Sequence, residues 1–378
     1  MIYLDCNATT PVEGEVINLC LNYLKDDFGN AGSRTHEHGA RAKTAVIKAR
    51  SQVGELLGVD VDGVIFTSGA TESNNIAILG LIAGLAKEKS GRHIITSLQE
   101  HKAVLEPFQL LEKRGYEVSY LKPNQDGVVT AEALNAVLRT DTVLVSLMHA
   151  NNETGVVQPI SAYASVLAAH SAYFHVDAAQ TYGKLIDDLR LRRIDLVSAS
   201  GHKVYGPKGV GVLALRERDY VPPPIEPLMY GGGQEKGLRP GTLPVHLIVG
   251  FGEASRLALR DHAKRSATCQ RFKDQAIKAL TAVGGVPNGA LAASLPSTLN
   301  ISFPGADSEA LILALKDLIS ISNGSACTSS SYTFSHVLNA MGLPKDRVKS
   351  ALRLSWCHLT PEVDWPAVVT RLKVLIQK

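Results

Sequence analysis

Short apolar segments alternate with amphipathic segments through the middle of this 378-residue chain. Runs rich in β-branched and aromatic residues predict strands, whereas apolar residues spaced three or four positions apart predict helices. The predicted strands are residues 64–67, 93–97, 116–121, 142–148, 173–176, 195–199 and 209–215, and most are separated by helices predicted at 72–87, 101–114, 131–138 and 162–170. This alternation indicates an α/β fold with right-handed crossovers and a mainly parallel, seven-stranded sheet that binds ligands at the carboxyl ends of its strands.

The pattern changes after residue 215. Three prolines at 222–224 and three glycines at 231–233 interrupt the alternation, and a long amphipathic helix is predicted from 245 to about 282. A second unit is predicted beyond it, with strands at 298–303 and 350–356, a helix capped by Asp307 that runs to residue 318, and a last helix started by Thr360 and Pro361. The domains expected are a large domain of residues 56–244, a smaller α+β domain of residues 16–55 and 245–378, and an N-terminal segment, 1–15, that joins the large domain.

The composition suits a large enzyme in the cytoplasm. With 45% hydrophobic and 20% charged residues, the chain can bury one or two sizeable cores. The net charge of +3 is spread over both halves and gives no nucleic-acid footprint, and no signal peptide or membrane-spanning run is recognisable. The five cysteines contain no Cys-x-x-Cys pair, which argues against a disulfide framework and against a zinc site. We therefore expect no metal and no direct contact with nucleic acid or membrane.

A lysine and an aspartate stand at the ends of two predicted strands. Lys203 lies in the turn Ser200-Gly201-His202-Lys203-Val204-Tyr205-Gly206-Pro207, where a rigid turn beside a buried strand can keep an amine partly desolvated for an aldehyde cofactor. Asp177 ends an earlier strand and is the kind of carboxylate that keeps the pyridine nitrogen of pyridoxal phosphate protonated. Taken singly, such residues are more often a solvated lysine and a turn aspartate.

A third strand end carries the run Thr67-Ser68-Gly69-Ala70-Thr71-Glu72-Ser73-Asn74-Asn75, which we call the phosphate cup. Free N–H groups at a helix start, a permissive glycine and flanking hydroxyls suit a phosphoryl group. The run is neither a P-loop nor a Gly-x-Gly-x-x-Gly motif, and alone it is ordinary helix capping. Cup, aspartate and lysine together indicate a pyridoxal 5′-phosphate site.

One further segment distinguishes among the reactions that a pyridoxal-phosphate enzyme can catalyse. It is Ser322-Asn323-Gly324-Ser325-Ala326-Cys327-Thr328-Ser329-Ser330-Ser331. Its small polar residues and glycine cannot bury themselves, which predicts an exposed, mobile loop. A thiol on such a loop is accessible and usable as a nucleophile, whereas Cys20 and Cys357 suit the usual buried role of cysteine.

At this point the chain resembles the cysteine desulfurases of the NifS/IscS type, which are fold-type I pyridoxal-phosphate enzymes of the aminotransferase-like fold. Besides the cup, the lysine turn and the cysteine segment, the matching motifs are Leu4-Asp5-Cys6-Asn7-Ala8-Thr9-Thr10-Pro11, Phe28-Gly29-Asn30-Ala31-Gly32-Ser33, Glu100-His101-Lys102-Ala103-Val104, Asn151-Asn152-Glu153-Thr154-Gly155, His175-Val176-Asp177, Arg239-Pro240-Gly241-Thr242 and Leu352-Arg353-Leu354-Ser355. They cover nearly the whole length.

The resemblance implies roles for the residues around the cofactor. Lys203 is then the Schiff-base lysine, Asp177 the partner of the pyridine nitrogen and Gln180 the donor to the ring hydroxyl. The residues implied for the phosphate are Ala70, Thr71, Ser200, His202 and, contributed from the neighbouring subunit of a homodimer, Thr242.

The resemblance also implies a substrate site and a reaction. Asn152 and Arg353 hold the substrate carboxylate, Arg353 by the bidentate geometry of a guanidinium. His101 stacks on the ring and moves protons, work that suits a near-neutral pKa. L-cysteine is then converted to L-alanine, and its sulfur becomes a persulfide on Cys327 that passes to an acceptor protein.

The sequence departs from the commoner pattern in four places, of which the first three leave the catalytic set intact and the fourth bears on the acceptor. Cys6 replaces an aromatic residue, Ala31 and Gly32 replace Pro-Ala, Pro240 replaces Ser, and the chain stops at Lys378 without the longer tail that housekeeping members use for scaffold docking. Residues 28–36 and 322–331 resemble the DndA-like members that serve DNA phosphorothioation. The expected pathway is that one or a related sulfur transfer, such as iron–sulfur cluster assembly or thio-modification.

Two other function classes stay open on the residues alone. Another fold-type I reaction, such as transamination or selenocysteine lysis, keeps Lys203 and Asp177 but does not require Cys327. A non-enzymatic scaffold would not need the whole set together.

Overall fold

Strands and helices alternate along the chain in this computed structural model, which describes residues 1–87, 91–323 and 334–376. Over those ranges the strands are β1 Ile2–Tyr3, β2 Val64–Thr67, β3 His93–Ser97, β4 Glu117–Leu121, β5 Thr142–Met148, β6 Tyr173–Asp177, β7 Leu196–Ser200, β8 Gly211–Leu215, β9 Val286–Pro287, β10 Thr298–Ser302, β11 Ile319–Ser320 and β12 Ala351–Ser355. The α-helices are α1 Gly14–Lys25, α2 Glu37–Leu57, α3 Ala70–Asn75, α4 Leu81–Ala86, α5 Lys102–Lys113, α6 Ala131–Val137, α7 Ile160–Val166, α8 Val245–Thr281, α9 Ser308–Leu315, α10 His336–Ala340, α11 Lys345–Lys349 and α12 Trp365–Ile376. A π-helical turn, Ile76–Gly80, joins α3 to α4.

The large sheet has seven strands in the order β2-β8-β7-β6-β5-β3-β4. Strand β8 runs antiparallel to both of its neighbours, and the other pairings are parallel. The predicted α/β fold with a mainly parallel, seven-stranded sheet is therefore confirmed. Each predicted strand is present, with ends displaced by two residues at most, as in β8, which begins at Gly211.

Alternate residues of these strands face two apolar layers. In β2, Val64 and Phe66 join one buried cluster, whereas Ile65 joins the other. In β8 the same alternation sends Val212 to the first cluster and Leu213 to the second. Helices cover both faces, which is why the strands read as continuous apolar runs. The strand ends are thus held rigidly, and they position the site described below.

Helix α8 connects two apolar clusters. Its first half, with Ile248 and Phe251, packs in the cluster that also contains Val16 of α1, Val53 of α2 and the large-sheet strands. Its second half, from Cys269 onward, packs with β10, β12, α9 and α12. The boundaries of the large domain, 56–244, and of the small domain, 16–55 with 245–378, stay a prediction. No helix of the described ranges is long and apolar enough to cross a membrane.

Three predicted helix ends were wrong. Helix α7, predicted to reach residue 170, ends at Val166. The last helix does not start at Thr360 and Pro361, because the Thr360 hydroxyl accepts the Cys357 N–H at 2.9 Å in a turn. The helix begins at Trp365, where the Asp364 carboxylate accepts the Ala367 N–H at 3.0 Å. Asp307 does cap α9, as predicted, but α9 ends at Leu315 rather than at residue 318, since β11 follows closely.

A buried histidine lies inside the sheet beside the strand end that carries Asp177. The ring of His175 bonds the Ser146 hydroxyl at 2.7 Å and the Ser198 hydroxyl at 2.9 Å, and it is fully buried. Burial lowers the pKa of His175 to about 3. The folded protein therefore keeps this ring neutral at pH values where an unfolded histidine, with a pKa of about 6.5, is charged.

We expect the free energy of unfolding to fall as the pH drops from about 6.5 toward 4, because only the unfolded chain takes up the proton of His175. The slope from this residue is about 1.4 kcal/mol per pH unit. In urea unfolding across this range, His175→Asn should flatten the slope by that amount, whereas His38→Gln, on an exposed ring, should not. Equal slopes for His175→Asn and the unsubstituted protein would contradict the prediction.

Candidate active site

A cavity of about 500 Å³ opens where β5, β6 and β7 end. It gathers ten of the twelve residues to which the sequence analysis assigned a role. Those ten are Ala70, Thr71, His101, Asn152, Asp177, Gln180, Ser200, His202, Lys203 and Arg353. Thr242 is exposed and is not part of the cavity wall, while Cys327 lies outside the described residues. The roles of the gathered residues stay predictions, but their positions allow one bound molecule to touch them all.

The amine of Lys203 is held by the N-terminal segment. Lys203 ends the short 3-10 turn Gly201–Lys203 directly after β7, and its Nζ donates to the backbone carbonyl of Asn7. The Gln180 side chain donates to the same carbonyl from Nε2 at 3.1 Å. Asn7 also lines the cavity, and the sequence analysis assigned it no role, although it lies in one of the matching motifs. Its carbonyl fixes where the lysine amine sits.

Both carboxylate oxygens of Asp177 are anchored. Asp177 ends β6 and is buried, with Oδ1 accepting the Ala179 N–H at 2.9 Å and Oδ2 accepting from Asn74 Nδ2 at 2.7 Å. Asn74 belongs to the cup as defined, but no contact with Asp177 was predicted for it. Its spacing was the available signal, because it lies one helical turn after Ala70 and so on the face of α3 that carries the cup. The carboxylate is thereby presented to the cavity in one orientation.

The phosphate cup surrounds the start of α3. The first N–H groups of a helix have no partner within the helix, so those at Ala70 and Thr71 are available to an anion. The cup can approach the neighbouring strand β8 closely because Gly211 of that strand has no side chain. A Cβ at Gly211 would lie 2.6 Å from the Gly69 Cα. Glu72 accepts from Arg239 Nε at 3.0 Å. This ion pair connects the cup to the segment that carries Thr242.

Two histidines of the cavity are neutral near pH 7. Burial, with the positive charges of Lys203 and Lys208, lowers the pKa of His202 to about 4. Burial is also the main cause that lowers the pKa of His101. The His101 Nδ1 accepts the Ala103 N–H at 3.1 Å, so the neutral ring carries its proton on Nε2. The His101 ring can therefore offer its Nε2–H to a bound group, while the His202 Nδ1 is hydrogen-bonded to the Thr9 hydroxyl at 3.2 Å.

Arg353 forms the opposite wall of the cavity. It lies in the middle of β12, with Nη1 donating to the Asn152 carbonyl at 3.1 Å and Nη2 to Asp5 Oδ1 at 2.6 Å. Only 4% of the side chain is exposed, and its buried Nε has no partner among the described residues. A guanidinium held in this way keeps donor capacity for an added acceptor. Asp5 is a further residue that the sequence analysis did not select.

These residues fit pyridoxal phosphate. Two buried side-chain oxygens of the cavity wall, Asn74 Oδ1 and Gln180 Oε1, have no partner among the described residues. Leaving such groups unpaired costs stability, which is typical of a site built for a polar ligand. Asp177 and Gln180 would hold the ring, Lys203 would take the aldehyde, and the cup with Ser200 and His202 would hold the phosphate.

Residues 2–364 match the aminotransferase class-V family. Cysteine desulfurase IscS of Serratia proteamaculans (strain 568) is 45% identical over 378 residues, which is 99% of this chain and 92% of that protein.

Two solved structures show the same architecture. The crystal structure of DndA from Streptomyces lividans superposes with a TM-score of 0.83 and is 47% identical, covering 93% of this chain and 98% of that chain. A structure of SspA in complex with cysteine gives a TM-score of 0.82 at 37% identity, covering 94% of this chain and 98% of that chain. The fold, the cavity and the similar proteins therefore all indicate pyridoxal-phosphate chemistry.

Gly211→Ala should damage the phosphate cup. The added Cβ would lie 2.5 Å from the Ala199 carbonyl oxygen and 2.6 Å from the Gly69 Cα, so the backbone must shift. We expect a loss of about 1–3 kcal/mol in stability, together with weaker uptake of pyridoxal phosphate. Thermal unfolding and titration of the visible cofactor band measure the two effects.

Gly14→Ala is the matched control, because a Cβ at Gly14 meets nothing within 4 Å. If the Gly211→Ala variant unfolds at the same temperature as this control and binds cofactor equally well, this view of the cup is contradicted.

Proposed function

This chain belongs to the aminotransferase class-V family, as a pyridoxal-phosphate-dependent cysteine desulfurase, and we propose how its own residues carry out that reaction. L-cysteine loses its sulfur, L-alanine is released, and the sulfur remains on Cys327 as a persulfide. The observation that carries the proposal is the single cavity that holds Lys203, Asp177 and Arg353 together.

The cofactor end of the cavity lies between the cup and Lys203. When bound, pyridoxal phosphate supplies an aldehyde for the substrate amine and a ring that accepts the electrons of the broken bond. Asp177 holds a proton on the ring nitrogen, and its two anchored oxygens keep that contact in place. His202, being neutral, donates to the phosphate without adding a charge that would compete with Lys203.

Substrate binding is assigned to the Arg353 wall. The guanidinium takes the carboxylate of L-cysteine, and Asn152, whose carbonyl already fixes Nη1, completes that wall. The substrate amine then points toward the cofactor, and its thiol points toward the open side of the cavity. Lys203 Nζ moves the proton of the α-carbon, and His101 offers its Nε2–H at the substrate.

The sulfur-transfer step balances without any further reactant. The thiolate of Cys327 attacks the substrate sulfur, an S–S bond forms, and the carbon–sulfur bond breaks. The electron pair of the broken carbon–sulfur bond stays with the substrate carbon, which takes up a proton and becomes the methyl group of alanine. The transferred sulfur is oxidised to the persulfide level, and the substrate carbon is reduced.

The further fate of the sulfur follows from the persulfide. A persulfide on a cysteine can be passed to a thiol of an acceptor protein, and we propose that the acceptor belongs to DNA phosphorothioation. The likeness to DndA, at 47% identity, supports this pathway, but the likeness to IscS, at 45% identity, is about as strong. The choice between them rests on the resemblance of residues 28–36 and 322–331 to DndA-like sequences. We also propose a homodimer, since Thr242 lies away from its own cavity and is exposed, where a neighbouring subunit can reach it.

Cys327→Ser should remain yellow with bound cofactor but release neither sulfide nor alanine from L-cysteine, because a hydroxyl cannot accept the sulfur. Mass spectrometry of the unsubstituted protein after incubation with L-cysteine should find one added sulfur atom on the peptide of Cys327. Cys20→Ser, on a half-buried thiol of α1, is the control and should keep full turnover. Added sulfur on other cysteines but never on Cys327 would refute the assignment.

Mixing two inactive variants should restore activity if the site is shared. Lys203→Ala lacks the amine, and Thr242→Asp places a carboxylate against the partner's phosphate. After subunit exchange, each heterodimer has one cavity with an intact lysine and an intact neighbouring threonine. Sulfide release should therefore return.

The control pairs Lys203→Ala with the double variant Lys203→Ala, Thr242→Asp, which should stay inactive. If exchange is verified by mass spectrometry and the first mixture is equally inactive, the shared site is wrong.

A further inference from the structure

Arg353 already has a carboxylate partner before any substrate binds. Asp5 Oδ1 lies 2.6 Å from Arg353 Nη2, and the exposed fractions of the two side chains are 20% and 4%. This is a charge-assisted hydrogen bond in a mostly buried position, where it is stronger than at the surface. The residue proposed to hold the substrate carboxylate therefore carries a built-in competitor for its positive charge.

The backbone fixes both partners of this ion pair. Asp5 forms a parallel bridge with Ser355 at the end of β12, the strand that carries Arg353. On the other side, Ser322 pairs with Arg353 through both of its backbone groups and donates from its hydroxyl to Asp5 Oδ1 at 3.3 Å. Asp5 therefore cannot move far when a second carboxylate approaches Arg353. The two carboxylates must share one guanidinium.

We propose that Asp5 is a positioning residue: it orients Arg353 and limits the affinity of Arg353 for the carboxylate of the substrate. The orientation comes from the hydrogen bond to Nη2, which leaves other donors of the guanidinium for the ligand. The limit comes from the negative charge of Asp5, which repels the incoming carboxylate. This inference rests on the proposed role of Arg353 as the carboxylate anchor.

A limited affinity has a use in this reaction. L-cysteine and L-alanine carry the same carboxylate, so a tight carboxylate site would hold the product as firmly as the substrate. Such uniform binding does not speed the chemical step, and it delays release. By weakening carboxylate binding equally for both, Asp5 favours the departure of alanine. The reacting side chain, which differs between the two, is left to distinguish them.

The test compares two ligands that differ only in the carboxylate. L-alanine and ethylamine share the amine and the methyl group, so the ratio of their dissociation constants reports the carboxylate site alone. Calorimetric titration of the cofactor-loaded protein gives both constants. Asp5→Asn keeps an oxygen acceptor for Arg353 Nη2 but removes the charge. We expect this variant to bind L-alanine roughly tenfold to a hundredfold more tightly, with ethylamine unchanged.

A double-mutant cycle shows whether the effect passes through Arg353. The gain from Asp5→Asn should shrink in an Arg353→Lys background, since the part that comes from freeing the guanidinium is lost and only the direct repulsion by Asp5 remains. Asp317→Asn, which removes the carboxylate of a distant exposed ion pair with Arg371, should change neither ligand. Steady-state kinetics of Asp5→Asn should show a lower KM for L-cysteine without a higher kcat.

Weaker or unchanged binding of L-alanine by Asp5→Asn would overturn the inference, because a merely structural ion pair predicts that result. If Asp5→Asn does not fold, Asp5→Ser provides the same removal of charge with a remaining oxygen acceptor, and the same sign is expected. Failure of the proposed function looks different. In that case no sulfide is released from L-cysteine, while the ratio for L-alanine and ethylamine still responds to Asp5.

Discussion

The hydrogen bonds of Asn7 hold the two sides of the cavity together. Its carbonyl accepts from Lys203 Nζ and Gln180 Nε2, which follow strands β7 and β6 of the large sheet. Its side chain donates to the Asn152 carbonyl at 3.1 Å and to the Thr298 hydroxyl at 3.0 Å, and its N–H donates to the Ser355 hydroxyl at 2.9 Å. One residue therefore sets the distance between the lysine amine and the Arg353 wall. Every proposed role in catalysis depends on that spacing.

The site keeps polar groups in costly positions and supports them from behind. Asp177 is buried yet fixed at both oxygens, and the neighbouring His175 is held between two hydroxyls inside the sheet. Such second contacts orient a functional group so that it need not reorganise during the reaction. The buried oxygens Asn74 Oδ1 and Gln180 Oε1, which have no partner within the described ranges, are the stability cost of a cavity shaped for a ligand.

Charge in the cavity is distributed so that each end can bind one part of an amino acid and its cofactor. In the proposed site, neutral His202 and helix N–H groups would bind the phosphate, while the fixed charges of Asp177 and Arg353 would bind the ring nitrogen and the carboxylate. The ion pair of Arg353 with Asp5 and that of Arg239 with Glu72 lie just behind these contacts. Both pairs connect a ligand-binding group to a segment distant in sequence, so they can adjust affinity without touching the reacting atoms.

The sequence by itself determined the seven strands, because strands buried on both faces are short apolar runs rich in β-branched and aromatic residues. It also predicted that Lys203, Asp177 and the cup lie together at strand ends, and the three do line one cavity. The start of α12 could not be predicted from the sequence. Thr360 and Asp364 are both residue types that cap helices, and only the contact of Thr360 with Cys357 decides between them. The contacts of Asn7 and Asp5 in the cavity could not be predicted from the sequence either. Their partners, Lys203 and Arg353, are 196 and 348 positions away, and no periodic signal connects residues so distant until the chain has folded.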